Sequence, residues 1–168
     1  MHKKTFKLFA GFDLKKILNI ENKIIKKEIE KELENRILNN TKNEIIDYYY
    51  KKYHFEPILI NIDKMRESRL IDKKSNMLVL EYCIPFKGNP EILQYNPTNG
   101  IIGWTLDVYL NGSFFCFEKE TYIKGSPDFK DEINEVLKVI KEETAKINKD
   151  IDDFNKGLKS DIENILKK

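Results

Sequence analysis

The chain has 168 residues, of which 40% are hydrophobic and 35% are charged, and its 30 basic and 28 acidic residues leave a net charge of +2. This size and composition predict one globular domain with a substantial core and a highly charged surface. Because the two signs are interleaved along the chain, the charge pattern argues against a protein that depends on electrostatic binding to nucleic acid or to an anionic membrane.

The N-terminal segment contains only a short apolar patch, from Phe6 to Phe12, which Lys7 interrupts. Such a patch is too short for a secretory signal or for a membrane span. The sequence therefore predicts a cytoplasmic protein that does not insert into a membrane. Cys83 and Cys116 lie in apolar, strand-like runs, so we expect two buried free thiols rather than a disulfide.

Residues 13–53 have the pattern of helices. Apolar residues recur at spacings of three and four, and Asp13 is placed to cap the first turn. After a weak break at Asn39 and Asn40, Thr41 can cap a second helix. Pro57 closes this helical block.

Residues 57–122 have the pattern of an antiparallel sheet. Dense apolar runs at 58–60 and 77–80 predict strands, and the run 64–72 is expected to pair back across a turn at 73–76. Asn111-Gly112 predicts a two-residue hairpin turn, since both residues tolerate the positive φ that such a turn requires. That turn would place Leu110 opposite Ser113, Val108 opposite Phe115 and Leu106 opposite Phe117. One face of the hairpin would then join the core through Trp104, Leu106, Val108, Leu110, Phe115 and Phe117.

Residues 126–168 predict a long amphipathic helix, which Ser126 can cap and in which Pro127 suits the first position. Apolar residues recur mostly at steps of four and three and form one seam along this helix. We expect its C-terminal part to reach past the sheet and to bind a protein partner or a second copy of the chain. The residues of this predicted helix interface are Ile147, Ile151, Phe154, Leu158 and Ile165. The seam runs on to the end of the sequence, as in a helix that continues into a further domain.

Together these blocks predict a single α+β domain over residues 1–168. An antiparallel sheet of four or five strands forms its centre. The N-terminal helices and the long C-terminal helix are expected to cover one face of that sheet, because an isolated hairpin is not stable in water.

The sequence offers no clear catalytic or metal-binding constellation. His2 and His54 lack Cys or His neighbours at metal-ligand spacing. A nuclease site needs carboxylates and a lysine on adjacent strands, and Asp107 and Glu118 would be cross-strand neighbours. Lys119, however, would point to the opposite face from Glu118, because strand side chains alternate. We therefore expect a non-catalytic protein with no metal and no cofactor.

A long loop over residues 85–100 is the predicted partner-binding site, because two clusters of Pro, Gly and Asn surround it. Phe86, Tyr95 and Trp104 flank its rigid turns, and rigid aromatic rings give contact area at low entropic cost. The other interpretation is that Phe86 and Trp104 are core residues that anchor the loop.

Nucleic-acid binding is the weaker functional alternative. A single-strand binder interleaves aromatic residues with Lys and Arg on one strand face, whereas residues 104–118 contain no Lys or Arg. A ligand-binding or single-stranded nucleic-acid-binding domain that uses the 85–100 loop remains the alternative to a protein-interaction module.

Three short segments carry a resemblance to a known class of proteins: Ile84-Pro85-Phe86-Lys87-Gly88-Asn89-Pro90, Asn96-Pro97 and Asp153-Phe154-Asn155-Lys156-Gly157-Leu158. Residues 45–168 resemble the amino-terminal modules of some bacterial anti-phage defence proteins, in which an α+β unit ends in a long helix that leads to an effector domain. The resemblance implies a sensing or assembly role with the effector chemistry elsewhere, and these 168 residues hold no effector domain. We therefore predict a non-catalytic protein-interaction or sensor module.

Overall fold

The computed structural model describes residues 3–35, 39–72, 74–122 and 129–168. Within these ranges the chain is an α+β domain, as predicted, with three α-helices and six strands. The helices are α1 (Leu14–Glu34), α2 (Lys42–Tyr53) and α3 (Lys130–Ile165). The strands are β1 (Thr5–Leu8), β2 (Leu59–Ile60), β3 (Arg66–Asp72), β4 (Met77–Lys87), β5 (Leu106–Asn111) and β6 (Phe114–Tyr122).

The two N-terminal helices begin at the predicted caps. The side chain of Asp13 accepts a hydrogen bond from the backbone N–H of Lys15 at 2.9 Å. At the start of α2, Thr41 and Glu44 exchange side-chain and backbone hydrogen bonds in a complete capping box, which satisfies two N–H groups that a helix start leaves without partners. The predicted cap of the last helix, Ser126 with Pro127, lies outside the described residues.

The sheet is antiparallel throughout and has the order β1–β5–β6–β4, with β3 and β2 both paired to the far edge of β4. The predicted pairing of 64–72 with 77–80 is confirmed, since β3 runs from Arg66 opposite Cys83 to Asp72 opposite Met77. The sequence prediction missed β1, which pairs with β5 from Thr5 opposite Tyr109 to Leu8 opposite Leu106.

The β5–β6 hairpin has the predicted core face, except that Leu110 near its turn is 44% exposed, and its register differs from the predicted one. Leu110 lies opposite Phe115 and Asn111 opposite Phe114, so the turn is formed by Gly112 and Ser113 rather than by Asn111 and Gly112. Gly112 takes the positive φ, at 58°. The pairing of the two strands is shifted by two residues from the predicted register. Because side chains along a strand alternate with a period of two, this shift leaves each residue on its predicted face. Val108, Phe115 and Phe117 are fully buried on that face.

The seam of α3 is buried by the chain itself, which corrects the expectation of an uncovered helix interface. Ile147 and Ile151 belong to the main core beneath the sheet. Leu158 and Ile162 belong to a second cluster that α3 forms with α1 and α2, through residues such as Ile25, Ile29 and Tyr49. Phe154 packs against both clusters and Ile165 against the second. The main core and the N-terminal helices together thus cover the part of the seam that was expected to reach a partner.

Two asparagines on one side of the α3 seam hold the chain between α2 and β2. Asn148 accepts from the backbone N–H of Ile58 and donates to its carbonyl, both at 2.7 Å. Asn155 makes the same pair of bonds to the backbone of Phe55, at 2.9 and 2.8 Å. The two amides are seven residues apart and therefore lie on one helix face, where they substitute for a strand partner along residues 55–58.

Cys83 and Cys116 form a disulfide between β4 and β6, which corrects the prediction of free thiols. The two residues lie directly opposite each other in the β4–β6 register, with Cα atoms 4.1 Å apart. The sequence placed both in strands, but only the register of two strands distant in sequence brings them together. The disulfide lies with Tyr109 and Phe114 in a small cluster that no helix residue joins in the described structure.

Candidate protein-interaction site

The loop that follows the 3₁₀ turn Pro90–Gln94 is built on the start of α1. The backbone N–H of Asn96 donates to the carbonyl of Phe12, and that of Leu14 donates to the carbonyl of Asn96. The chain then turns back at once, since the N–H of Gly100 donates to the carbonyl of Pro97. A Cβ on Gly100 would lie only 2.8 Å from the backbone carbonyl oxygen of Pro97, so the turn requires glycine at this position.

Two buried carboxylates on α3 fix this loop from below. The side chain of Asp150 accepts a hydrogen bond from the N–H of Thr98 at 2.8 Å, and that of Glu143 accepts one from the N–H of Ile101 at 3.1 Å. Both residues are buried, with 8% and 2% of their surface exposed. Lys146 adds a third contact, since its ammonium group donates to Glu143 at 2.6 Å and to the loop carbonyl of Asn99 at 3.0 Å.

These contacts give the loop a defined backbone position. Burying a carboxylate is costly unless it is paired and hydrogen-bonded, and here the compensating partners are loop N–H groups and one lysine. Glu143 and Asp150 lie seven residues apart on the side of the seam opposite to Asn148 and Asn155. Helix α3 therefore holds the loop with one flank and the segment 55–58 with the other.

The best-exposed apolar side chains of this region lie on the fixed loop and beside it. Ile102 is 94% exposed, Ile101 40% and Phe12 77%. Phe12 bonds through its backbone to Asn96, and Asn96 contacts Gly100, the residue before Ile101. We call Phe12, Ile101 and Ile102 the apolar tip. Large apolar side chains held in water on a fixed backbone are the arrangement expected of a contact surface.

Two side-chain oxygens at the base of the loop are buried without a hydrogen-bond partner among the described residues, Oδ1 of Asn96 and Oγ1 of Thr98. Buried oxygens without partners destabilise a fold, by about 1–3 kcal/mol for each group.

The predicted site residues Phe86, Tyr95 and Trp104 lie around this loop but face inward. All three are half-buried and pack against the main core. The ring of Phe86 contacts that of Phe115, with centroids 5.9 Å apart, and the ring of Trp104 contacts that of Phe9 at 6.0 Å. Their role in the structure is therefore to anchor the two ends of the loop, while the apolar tip carries the exposed surface.

The sequence contains a signal for the tip that aromatic counting overlooked. Ile101 and Ile102 form an isolated apolar pair between Gly100 and Gly103, too short for a strand or for a turn of helix. An apolar pair enclosed by glycines has no regular element in which to be buried. Phe12 gives the same signal, because it stands between Gly11 and the helix cap Asp13.

The carboxylates considered for nuclease chemistry serve in ion pairs on the open face of the sheet. Glu118 lies opposite Glu81, and Lys3 bridges the two at 3.3 Å from each. Burial lowers the pKa of Lys3, but hydrogen bonds and charges from both glutamates outweigh it and raise that pKa above its usual value. Asp107 pairs with Lys7 at 3.5 Å. Within the described part of the chain, no three His, Cys, Asp or Glu side chains converge as metal ligands would.

Comparison with family models, with curated proteins and with solved structures gives no significant match to this chain. Of the helices that the structure describes, none combines the length and the apolar character that crossing a bilayer requires.

Proposed function

We propose that the chain is a non-catalytic protein-interaction module that binds a partner protein through the apolar tip. The observation that carries this proposal is the exposure of Ile102, at 94%, on a loop whose backbone is bonded to the buried side chains of Asp150 and Glu143. A fixed loop loses little conformational entropy when it binds, so its exposed apolar area contributes to affinity with a small ordering cost.

The predicted helix interface at Ile147, Ile151, Phe154, Leu158 and Ile165 is not part of this proposal, because the chain's own helices pack against those side chains. The alternative of a ligand-binding or nucleic-acid-binding loop also lacks support. Lys87 is the single basic residue from position 85 to position 104, and Lys146, which contacts the loop from α3, is paired with Glu143. The loop therefore has few of the cations that phosphate groups require.

The role that we propose for the partner complex is sensing or assembly, in line with the resemblance to amino-terminal modules of anti-phage defence proteins. A cytoplasmic location belongs to the same proposal. The Cys83–Cys116 disulfide of the structure counts against this location, because a reducing cytoplasm would hold both residues as thiols. Alkylation of freshly lysed cells followed by mass spectrometry therefore tests the location. Labelled cysteines support it, and an unlabelled, oxidised pair contradicts it.

The proposed function is tested in two steps. Wild type is first used as bait to capture a partner from the cells in which the protein naturally occurs. The affinity of the purified partner is then measured for wild type, Ile102→Asp and Ile24→Asp. Ile24 is the matched control, since it is also an exposed isoleucine, at 46%, but lies on α1. We expect Ile102→Asp to weaken partner binding about ten-fold or more, as loss of a central apolar contact does, at unchanged thermal stability. A partner that binds wild type and Ile102→Asp equally well contradicts the proposal.

A further inference from the structure

Strand β3 differs from every other strand in that all seven of its residues, Arg66–Asp72, are exposed. It pairs with β4 on one side, and no other strand pairs with it in the part of the chain that the structure describes. Its outer edge therefore presents unpaired backbone N–H and C=O groups. Such an edge is a template for pairing with another strand.

The other sheet edge is less suited to pairing. Strand β1 has four residues, Thr5–Leu8, and its Leu8 is fully buried. Lys7 projects from it, and a lysine on an edge strand is a usual device against edge-to-edge association. Strand β3 is nearly twice as long and carries both signs of charge in alternation, at Arg66, Glu67, Arg69 and Asp72.

Two copies of β3 can pair antiparallel in one register that places opposite charges next to each other. A two-fold axis through Ser68, perpendicular to the sheet, places Glu67 of each copy opposite Arg69 of the other. The same register places Arg66 opposite Leu70, so it pairs residues 66–70 of the two strands. Opposite charges across an antiparallel pair stabilise it, and like charges destabilise it.

The two neighbouring symmetric registers each create a like-charge pair. An axis through Glu67 would bring the two Glu67 carboxylates together. An axis through Arg69 would place Arg66 opposite Asp72 but would bring the two Arg69 side chains together. Only even shifts of register are compatible with a perpendicular two-fold axis, because residues opposite each other must project from the same face of the joined sheet.

We propose that β3 is a homodimerisation edge, in which two copies of the chain pair antiparallel around Ser68 and join their sheets into one. The Glu67–Arg69 ion pair within each chain, 3.2 Å long and well exposed, is exchanged for two such pairs between chains. Leu70, which is 55% exposed, lies opposite Arg66 of the other copy and loses water contact there. This inference does not depend on the apolar tip, which lies on other segments of the chain.

A single strand pair is a small interface, so the dimer is of the weak, concentration-dependent class. Sedimentation equilibrium of the full chain up to high micromolar concentration is therefore the appropriate measurement. We expect wild type to show a monomer–dimer equilibrium. Glu67→Arg and Arg69→Glu should each raise the dimer dissociation constant about ten-fold or more, because each variant creates two like-charge pairs.

An equimolar mixture of the two variants gives the decisive result. One copy then carries Arg at 67 and 69 and the other carries Glu at both positions, so both cross-pairs become attractive and a heterodimer should form. The double variant Glu67→Arg/Arg69→Glu should again self-associate. Glu120→Arg is the control, since Glu120 is also exposed but lies on β6, which β4 separates from β3, and this variant should dimerise like wild type.

Two outcomes overturn the proposal. The first is a wild type that stays strictly monomeric at high micromolar concentration, which would mean that the charges of β3 protect the edge from pairing. The second is a dimer that is insensitive to both charge reversals and to their mixing, which would place the dimer interface elsewhere. A folding defect would not imitate either result, because far-ultraviolet circular dichroism of each variant is recorded alongside.

Discussion

Helix α3 and strand β3 both contain apolar and charged residues, yet the seam of the first is packed into the core and every residue of the second is exposed. Nine of the 36 residues of α3 are buried, including Glu143 and Asp150, whereas no residue of β3 is buried. The sequence pattern marked α3 as the interface and gave β3 no role. Periodicity shows which side chains need cover, but it does not show whether the cover comes from the same chain or from another. The free edge of a strand is a property of backbone pairing and leaves no mark in the side-chain pattern.

The largest expected contrast comes from the same substitution in both elements. Ile147→Ala removes methyl groups from a fully buried site and should lower the free energy of unfolding by about 2–5 kcal/mol. Ile71→Ala acts on a side chain that is 60% exposed and should change it by less than about 1 kcal/mol in the monomer. Urea denaturation at low protein concentration measures both, and equal losses would contradict the burial difference.

A second test concerns β4, which joins β3 to the rest of the sheet. The Cys83–Cys116 disulfide closes a loop with a sequence separation of 33, and a loop of that size corresponds to about 3–4 kcal/mol of stabilisation in the chain-entropy description. Reduction should lower the urea midpoint and speed hydrogen exchange along β4 and β6. A reduced protein with unchanged stability would show that the strands themselves already restrict the unfolded chain.

The anchoring of the loop by α3 can be tested with two aspartates on the same helix. Asp150→Ala leaves the N–H of Thr98 without its buried acceptor and should cost about 1–3 kcal/mol. Asp152→Ala removes only an exposed ion pair with Lys156 and should cost less than about 1 kcal/mol. Hydrogen exchange at Thr98 and Ile101 should accelerate in the first variant alone. Acceleration in both variants would contradict a specific anchor.

The smallest effect is expected at Gly157, where α3 continues without a break. A Cβ at this position would meet no atom within 4 Å. Gly157→Ala should therefore raise the free energy of unfolding by about 0.5–1 kcal/mol, because alanine restricts the unfolded chain and favours helix. A loss of stability, measured by thermal denaturation, would indicate that glycine is required there.

The apolar tip could be predicted from the sequence only in part. Residues 85–100 were predicted to be a shaped loop from their Pro, Gly and Asn content, with Phe86, Tyr95 and Trp104 flanking its turns. The structure instead places residues 85–87 at the end of β4 and Pro90–Gln94 in a 3₁₀ helix. The inward orientation of Phe86 and Trp104 depends on Phe115 and Phe9, which are distant in sequence. The exposure of Ile102 depends on where Asp150 and Glu143 hold the backbone, and charged residues within a charged helix gave no sign of that contact.

The sequence by itself determined the features that local physical chemistry controls. These are the α+β class, the helix starts at Asp13 and Thr41, the strand faces of the hairpin, and the apolar seam of α3. Caps and periodicities act over a few residues, so neighbouring residues suffice to specify them. The tertiary structure alone decided what required distant segments to meet. The β4–β6 register paired Cys83 with Cys116, and the packing of α1 and α2 covered the seam. Residues in the two flanks of α3, such as Asn148 and Asp150, gained their partners only when the loops reached them.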